Sequence, residues 1–421
     1  MKLTCGPTIS PKSDELGVIL YGRRSEGLGS AGAAIASEIR RLRWVPSARA
    51  WDFLSIALAA VTADAAGHRS KSPDGWTREF EIRVHVQDPA FWQTQQSELE
   101  SALAFLTTDR WRFAFANNGF TPRAPARSVA PPADGVVLLS GGLDSLIGAI
   151  DLTAAGRKLL AVSHSVRGDA EQQIRFATAI GGGLTQLQCS HNAAVPDPEK
   201  PPSQRARSIA FLAYGVLAAT STGAHARGET VPLYVCENGL IALNPPLTGL
   251  RIGSLSTRTA HPRFLRAIQR VVDAAGINVR IENPYALLTK GEMLAQCRDE
   301  QLIKKLASKS TSCGRYRVFK YQHCGRCVPC QIRRASFLHA DMTDKTNYVF
   351  KRLGKNDADH RNFDDVRAVG LANAEITAHS LESWLSSSMS WSDPSERASY
   401  EQMVQRGMAE LAALHAKYKV K

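Results

Sequence analysis

Residues 139–145 read Leu-Ser-Gly-Gly-Leu-Asp-Ser, directly after the apolar run 136–138 and before a helix-like stretch at 146–152. A strand that turns through two glycines into a helix leaves backbone N–H groups free, and the glycines let a polyphosphate approach them. Hydroxyls in the stretch can add donors, and its aspartate can hold a metal ion that bridges phosphates. The pattern predicts a pyrophosphate loop formed by Leu139, Ser140, Gly141, Gly142, Leu143, Asp144 and Ser145. An ordinary Gly-Gly turn before a capped helix is the alternative.

The spacing of this loop indicates the kind of reaction. It differs from the Gly-x-x-x-x-Gly-Lys loop of the common nucleoside triphosphatases, whose lysine contacts the β and γ phosphates. The shorter loop suits enzymes that bind ATP and Mg²⁺ while AMP is transferred and pyrophosphate leaves. We therefore expect Asp144 and Ser145 to take part in catalysis.

The composition is typical of a protein with several domains. The chain has 421 residues, of which 44% are hydrophobic, enough for two or three domains. No apolar segment approaches the roughly 20 residues that span a bilayer, and the first ten residues lack the apolar stretch of a signal peptide. We therefore expect a cytoplasmic protein with no membrane segment. Eight cysteines in a chain of this length do not form a disulfide scaffold.

The net charge of +13 attracts anions, and the candidates are ATP, an acidic partner protein and nucleic acid. Basic residues occur in every part of the chain rather than in one tail. This distribution is typical of solvated surfaces, so we do not expect direct binding of nucleic acid.

Prolines and apolar residues divide the chain into four parts. Residues 1–122 contain a helix candidate at 50–65 and alternating apolar runs that start at Phe80 and Trp111, which predicts an N-terminal α+β domain. Residues 123–134 form a proline-rich linker. Strand and helix patterns alternate over 135–345, and 346–421 is a helical extension.

The alternation over 135–345 predicts an α/β fold with a doubly wound parallel sheet. The expected strands cover 136–139, 159–163 and 233–236, and the expected helices cover 206–220 and 261–274. Ligands of such sheets bind at the carboxyl ends of the strands. The predicted pyrophosphate loop lies at one of these ends.

A cysteine array follows this alternating region, formed by Cys313, Cys324, Cys327 and Cys330. Thiolates at such short spacing can share one metal ion, and Gly325 provides the freedom that the turn needs. Four sulfurs fill the tetrahedral shell of Zn²⁺ and leave no position for water, so we expect a structural zinc. An iron–sulfur cluster, which also takes four thiolates, is the alternative.

Other polar residues follow expected strands or precede expected helices. His164 follows the second strand, where the adenosine of a bound nucleotide should reach, although a structural histidine is also compatible with this position. Glu237 and Asn238 follow the strand at 233–236 and can line the cleft. The candidates at helix starts are Arg207, Arg258, His261 and Lys290. An arginine there suits a carboxylate or phosphate, and the lysine could pair with a leaving pyrophosphate, but each could also be solvated.

These motifs together resemble QueC, the 7-cyano-7-deazaguanine synthase family of the N-type ATP pyrophosphatases. The resemblance covers roughly residues 134–340. It rests on the Ser-Gly-Gly-x-Asp-Ser loop, Arg167 with Ala170 and Glu171, Arg207, the Thr-Lys-Gly-Glu stretch at Lys290, and the cysteine array with Arg333. Two departures lie near the expected substrate. QueC has a tyrosine near the position of His164, and a Tyr-Pro-Asp-Cys-Arg segment where this chain has Ser-Thr-Arg-Thr-Ala-His-Pro at 256–262.

The resemblance to QueC implies a HUP-like fold and an enzyme that adenylates the carboxylate of a 7-deazaguanine. It implies catalytic roles for Asp144, Ser145 and Lys290, and ATP binding by the loop and His164. Together with the positions described above, it implies substrate contacts from Arg207, Glu237, Asn238, Arg258 and His261. The cofactors to expect are ATP, Mg²⁺ and Zn²⁺.

Four segments, two of them before this region and two within it, are similar to the QatC family, the QueC-like members of bacterial Qat anti-phage defence systems. They are Trp-Asp-Phe-Leu-Ser-Ile-Ala at Trp51, Pro-Asp-Gly-Trp-Thr-Arg-Glu at Pro73, Glu-Asn-Gly-Leu-Ile-Ala-Leu-Asn-Pro-Pro-Leu-Thr at Glu237 and the segment at Ser256. This resemblance spans nearly the whole chain and implies a role in defence beside other proteins of the operon, one of which could be a protein substrate.

The resulting expectation is an ATP-dependent C–N ligase that forms AMP and pyrophosphate and joins a 7-deazaguanine to an amine. Two alternatives remain. One is a synthase that makes the free nitrile base, and the other is an inactive nucleotide-binding scaffold.

Overall fold

Two five-stranded β-sheets form the framework of the protein in the computed structural model. The structure describes residues 1–165, 168–200, 203–247, 258–354, 364–385, 389 and 392–420.

The first sheet is formed by the N-terminal residues. Its strands are β1 (Lys2–Gly6), β2 (Leu16–Leu20), β3 (Gly29–Ala31), β4 (Glu79–His85) and β5 (Arg110–Ala116). They lie in the order β3-β2-β1-β4-β5, and each neighbouring pair is parallel. The two alternating runs found in the sequence are β4 and β5. The predicted α+β class is wrong for this part, because the pairing is parallel and helices connect strands within the sheet.

The second sheet carries the predicted pyrophosphate loop at 139–145. Its strands are β6 (Gly135–Leu138), β7 (Leu159–His164), β8 (Thr185–Cys189), β9 (Val231–Tyr234) and β10 (Val279–Glu282). Their order is β10-β9-β6-β7-β8 and all pairs are parallel, which confirms the predicted doubly wound sheet. The chain goes from β6 to one side for β7 and β8, and to the other side for β9 and β10. The carboxyl end of β6 is therefore the point at which the strand order reverses, where such sheets bind ligands.

Helices connect and cover the strands. Those of the first part are α1 (Ala33–Leu42), α2 (Ala48–Ala66), α3 (Pro89–Thr94) and α4 (Gln96–Thr107). Those of the second part are α5 (Leu143–Ala154), α6 (Ala170–Ala179), α7 (Arg207–Ala219), α8 (Gly223–Ala226), α9 (Gly239–Leu243), α10 (Pro262–Ala274), α11 (Lys290–Ala295), α12 (Glu300–Leu306) and α13 (Val328–His339). The C-terminal helices are α14 (Asp364–Ala378), α15 (Leu381–Leu385) and α16 (Pro394–Tyr418). The helices expected at 50–65, 206–220 and 261–274 are confirmed by α2, α7 and α10.

The two sheets share one hydrophobic core. Helix α2 is buried along almost its whole length, as expected of a helix that is apolar on all sides, and it packs against α7. The Asp64 carboxylate of α2 accepts a hydrogen bond from the N–H of Ala206, just before α7, at 3.0 Å. The predicted linker contains no helix or strand over its length, yet the N–H of Val129 donates to the carbonyl of Arg43 at 2.9 Å. The linker therefore runs along the shared body.

The C-terminal helices pack on the second sheet's helices around a separate apolar cluster. Helix α16 contacts α9 and α13. Of the helices described, none is both long and apolar enough to cross a membrane.

Candidate functional site

The loop between β6 and α5 is held in shape by two hydroxyls. The Oγ atoms of Ser140 and Ser145 lie 3.0 Å apart, and the N–H of Gly142 donates to Ser140 Oγ at 3.2 Å. Gly141 has a φ of 88°, a left-handed conformation that a side chain would strain. Its carbonyl accepts the N–H of Thr311 at 2.9 Å. The loop is therefore a fixed concave turn.

Helix α5 starts directly after this turn. Its N-cap residue, Gly142, has no side chain that could bond to the first turn, so the N–H groups at the helix start face the loop. This is the arrangement that binds anions at helix N-termini. Leu139 has a different role, because it is buried, its N–H donates to the carbonyl of Val162, and its carbonyl accepts the hydroxyl of Ser163, both at 2.7 Å.

Two adjoining cavities open at the carboxyl ends of the strands. The first, of about 230 Å³, lies over the loop and is bordered by Asp144 and Lys290. The second, of about 250 Å³, lies beyond β7 and is bordered by His164 and Arg207. The residues that border both cavities are Ser140, Ser145, Cys236, Glu237 and Ile241. The two cavities therefore form one cleft with two compartments.

Asp144 and Lys290 form a buried ion pair in the first cavity. Lys290 Nζ lies 2.6 Å from Asp144 Oδ1, and Lys290 is 6% exposed. Asn238 Nδ2 donates to the other oxygen, Asp144 Oδ2, at 2.7 Å. Burial by itself raises the pKa of Asp144, but the charge of Lys290 and hydrogen bonds from Glu237, Lys290 and Asn238 lower it to about 2. Asp144 is therefore ionised at neutral pH.

Glu237 stands between the two cavities, beside Asp144. Burial raises its pKa well above the ordinary value, and the charge of Asp144 and a hydrogen bond to that carboxylate raise it further. The protonated form of Glu237 is thus favoured next to an ionised Asp144. Neighbouring acids with pKa values driven apart in this way can exchange a proton, or bind a cation together once both ionise.

His164 borders the second cavity and is 7% exposed. Burial, and then the charges of His191 and Arg207, lower its pKa to about 3, so the ring is neutral. In the part of the chain that the structure describes, its Nε2 is buried without a hydrogen-bond partner, and the same is true of Oδ1 of Asp169, which also borders this cavity. Buried polar atoms without partners are rare. This end of the cleft thus offers hydrogen-bonding groups to a ligand.

The residues predicted to bind substrate separate into two groups. Arg207 and Glu237 border the cleft. Asn238 is buried and supports the site instead, because its side-chain Nδ2 donates to Asp144 and its side-chain Oδ1 accepts the N–H of Ile241 at 3.1 Å.

Arg258 and His261 are not among the residues that border the two cavities. Arg258 Nη1 donates to the carbonyl of Phe105 at 2.7 Å. The His261 ring packs against the Phe105 ring, with 4.8 Å between the ring centroids. The structure therefore turns both side chains toward the N-terminal part. Arg167, and the positions 256 and 257 of the Ser-Thr-Arg-Thr segment, lie outside the described residues.

The four cysteines of the array lie together in a buried cluster. Their sulfur atoms all lie within 4.8 Å of one another, and the Cys313–Cys327 and Cys324–Cys330 pairs are each 3.9 Å apart. Sulfurs around a tetrahedral zinc would lie roughly 3.8 Å apart, given a Zn–S bond of about 2.3 Å. The cluster therefore fits one Zn²⁺. The neighbouring His323 is outside this set, since its Nε2 accepts the N–H of Ser312 at 3.1 Å.

The cysteine cluster also shapes the cleft. Thr311 and Ser312, just before the first cysteine of the array, and Pro329 within α13 border the first cavity. The fully buried Arg333 donates to Ser312 Oγ at 3.1 Å, so it ties α13 to this wall. A metal ion in the cluster would thus fix one side of the first cavity without contacting a ligand there.

Asp169 and Thr311 are among the cleft residues that the sequence analysis did not predict. Asp169 borders the second cavity and Thr311 the first, and neither belongs to a motif. For Asp169 the available signal was its place after β7, at a carboxyl end of the sheet. Thr311 gave no local signal, because only the tertiary fold brings it to Gly141.

Acid should destabilise the protein through three buried histidines. The pKa values of His164, His191 and His261 are lowered to about 3, 4 and 3, mainly by burial. Unfolding returns them to about 6.5, so the unfolded chain takes up protons first, and the free energy of unfolding falls as pH decreases from about 6.5 to about 4. We expect the urea midpoint to decrease between about pH 7 and about pH 5, and His164→Gln to lose part of that decrease. An unchanged pH dependence in the variant would contradict this assignment.

Comparison with known proteins finds similarity over part of the chain. Residues 259–341, which contain Lys290 and the cysteine array, match the family described as "Queuosine biosynthesis protein QueC". The 7-cyano-7-deazaguanine synthase of Methanocaldococcus jannaschii is 33% identical over 89 residues, which cover 20% of this chain and 38% of that protein. The synthase of Rhizobium etli is 25% identical over 232 residues, which cover 51% of this chain and 91% of that protein. The chain therefore contains a region similar to QueC, together with two parallel sheets and a cluster of four cysteines that could hold a metal ion.

Proposed function

We propose that this protein is an ATP-dependent C–N ligase that adenylates 7-carboxy-7-deazaguanine and transfers the acyl group to an amine. A carboxylate oxygen of the base attacks the α-phosphorus of ATP, the bond to the β-phosphate oxygen breaks, and pyrophosphate leaves. The amine nitrogen then attacks the acyl carbon, AMP leaves with the electron pair of the C–O bond, and the nitrogen loses a proton. Activation is needed because a carboxylate is a poor acyl donor at neutral pH, whereas AMP is a good leaving group.

The observation that carries this proposal is the two-compartment cleft. The phosphate-type loop, Asp144 and Lys290 border one compartment, and His164 and Arg207 border the other. Ser140, Ser145 and Glu237 border both. A transfer between two substrates requires the reacting atoms to be held close together, and adjoining compartments provide this.

Each group of the cleft has a task in this proposal. The N–H groups at the start of α5 and the Lys290 ammonium bind pyrophosphate as it gains charge. The neutral His164 offers its unpartnered Nε2 to the adenosine. Arg207 holds the substrate carboxylate through its guanidinium group.

The residues at the loop fit a divalent cation. Asp144 is ionised, and its two oxygens offer about four lone-pair positions. Asn238 uses two of these positions, Lys290 uses one and protonated Glu237 uses one, so loss of the Glu237 proton would open a position for a cation. Glu237 could supply a second carboxylate oxygen after losing its proton. Asp144 and Glu237 would hold Mg²⁺ there, and the ion would supply positive charge that offsets the charge of the phosphates.

The acceptor amine in this proposal belongs to a protein encoded beside the enzyme in a Qat-type defence operon, and the reaction takes place in the cytoplasm. The support is the similarity of four sequence segments to the QatC family and the departure from QueC in the segment at 256–262. About half of the chain also lies outside the similarity to the Rhizobium etli synthase. That surplus is large enough to bind a protein partner.

A second candidate is a synthase that releases the free nitrile base. It is favoured by the two relatives, both of which are named as 7-cyano-7-deazaguanine synthases. In this case ammonia is the amine, and a second ATP dehydrates the resulting amide. An inactive scaffold is disfavoured, because the loop retains Ser140 and an ionised Asp144.

Incubation with ATP, Mg²⁺ and 7-carboxy-7-deazaguanine distinguishes these functions. AMP, base products and intact protein masses are followed with and without the operon partners, and Asp144→Asn serves as the inactive control. We expect AMP release together with a partner heavier by one deazaguanine acyl group. A free nitrile made from ammonia without any partner would overturn the ligase in favour of the synthase. Absence of AMP under every condition would overturn both enzymes.

A further inference from the structure

The C-terminal helix α16 contacts the turn that carries Lys290. Glu410 of α16 is 8% exposed, its carboxylate accepts a hydrogen bond from the Thr289 hydroxyl, and the same carboxylate lies directly against Gly291. These two residues flank Lys290 on either side. One acidic side chain thus contacts both neighbours of the lysine that pairs with Asp144.

The Glu410 carboxylate packs closely against the residues on both sides of Lys290. Thr289 is the N-cap of α11, and its Oγ accepts the N–H of Glu292 at 3.0 Å. Its single hydroxyl proton goes to Glu410, so both functions of the hydroxyl are used. A Cβ added at Gly291 would overlap the Glu410 carboxylate, so a larger residue there would displace this side chain.

A second contact holds the same turn to the same helix. Arg406, one helical turn before Glu410, donates through Nε to Glu292 Oε1 at 2.5 Å and through Nη2 to the carbonyl of Leu287 at 2.8 Å. His339 of α13 lies beside the Glu410 carboxylate, with its Nδ1 3.6 Å from Glu410 Oε1. The backbone on both sides of Lys290 is therefore fixed by the C-terminal helix.

We propose that Glu410 is a positioning residue for Lys290, so that the C-terminal helix completes the pyrophosphate end of the cleft. A lysine side chain has a flexible stem of four carbons, so the position of its ammonium group is defined only if its backbone is fixed. The match to QueC ends at residue 341, so the region that supplies Glu410 lies outside it. This inference rests on the proposed function in taking MgATP as the ligand of the first cavity.

Nucleotide affinity tests this role without depending on turnover. Binding of α,β-methylene-ATP with Mg²⁺ is measured by calorimetry for the whole chain, Glu410→Gln, Lys290→Met and the double variant. Glu401→Gln is the matched control, because Glu401 lies on the same helix and pairs with Arg397 instead. Thermal unfolding of every variant is recorded in parallel.

We expect Glu410→Gln to weaken nucleotide binding about tenfold and Glu401→Gln to leave it unchanged. In the Lys290→Met background, Glu410→Gln should cause no further loss, because its effect passes through the lysine. Wild-type affinity in Glu410→Gln, or an equal tenfold loss in both backgrounds, would overturn the proposal. If the wild-type chain binds no nucleotide, both the role of Glu410 and the proposed function are overturned. If the affinities change as expected but no AMP forms, the role of Glu410 stands and only the proposed reaction is overturned.

Discussion

Replacing Lys290 with methionine is expected to lower kcat for AMP formation about 1,000-fold, with little change in KM for the carboxylate substrate. Lys290 Nζ is buried and 2.6 Å from Asp144, in the cavity over the phosphate-type loop. In the proposed reaction its charge contacts the phosphates of bound ATP and acts most strongly on pyrophosphate as the bond to the α-phosphorus breaks, so most of the loss falls on the transition state. Steady-state kinetics with AMP as the product measures it.

Two further variants isolate the effect of this charge. Lys290→Arg retains the charge with a different shape, and it should recover part of the lost activity. Lys304→Met removes an exposed lysine of α12 that pairs with Glu300, and it should keep wild-type kcat. Since Lys290→Met also leaves Asp144 buried without its cation, at a cost of about 3–5 kcal/mol, urea unfolding must show that the variant is folded. A folded Lys290→Met protein with wild-type kcat would contradict the assigned role.

Removal of the metal from the cysteine cluster is expected to lower the free energy of unfolding by about 10 kcal/mol, enough to unfold the region around α13. Without a metal ion, the four thiolates repel one another because no cation offsets their charge. Metal analysis should find one zinc per chain in the wild type and none in Cys327→Ser. Chelation and the substitution should lower the melting temperature to a similar extent.

The control for this experiment is Cys297→Ser. Cys297 is also buried, but it lies in a different apolar cluster, away from the four sulfurs. It should retain full zinc content and lose only the small packing contribution of a thiol. Iron and acid-labile sulfide in the purified protein would show an iron–sulfur cluster instead. Full stability of Cys327→Ser without metal would contradict a structural metal.

The central strands and the loop could be predicted because their signals are local. Strands β6 and β7 are buried on both faces, so they appear as continuous apolar runs, and the Ser-Gly-Gly turn stands between β6 and α5. The cysteine spacing likewise indicated the cluster before its geometry was known. These features depend on residues close in sequence.

The edge strands could not be predicted in the same way. Strand β8 reads Thr-Gln-Leu-Gln-Cys and β10 reads Val-Arg-Ile-Glu, and both lie at the edges of the second sheet. An edge strand has one partner and contacts solvent, so it carries polar residues and a short pattern. The parallel pairing of the N-terminal sheet was missed because β1, β2 and β3 are only three to five residues long.

The substrate residues show the same limit within the site. Arg258 and His261 precede a helix, as predicted, but Phe105 of the N-terminal part receives both side chains. The sequence gives no sign that α4 packs against α10, and that contact decides where the two residues lie. Glu410 was missed for the same reason, since 120 positions of sequence separate it from Lys290.

ATP–pyrophosphate exchange tests the central claim, adenylation of a carboxylate, most directly. The chain is incubated with ATP, Mg²⁺, labelled pyrophosphate and 7-carboxy-7-deazaguanine, with every amine left out. Because formation of the acyl-adenylate is reversible while pyrophosphate is present, we expect label to enter ATP only when the carboxylate base is added, and not in Asp144→Asn. Exchange without the base, or release of ADP and phosphate in place of exchange, would contradict the account.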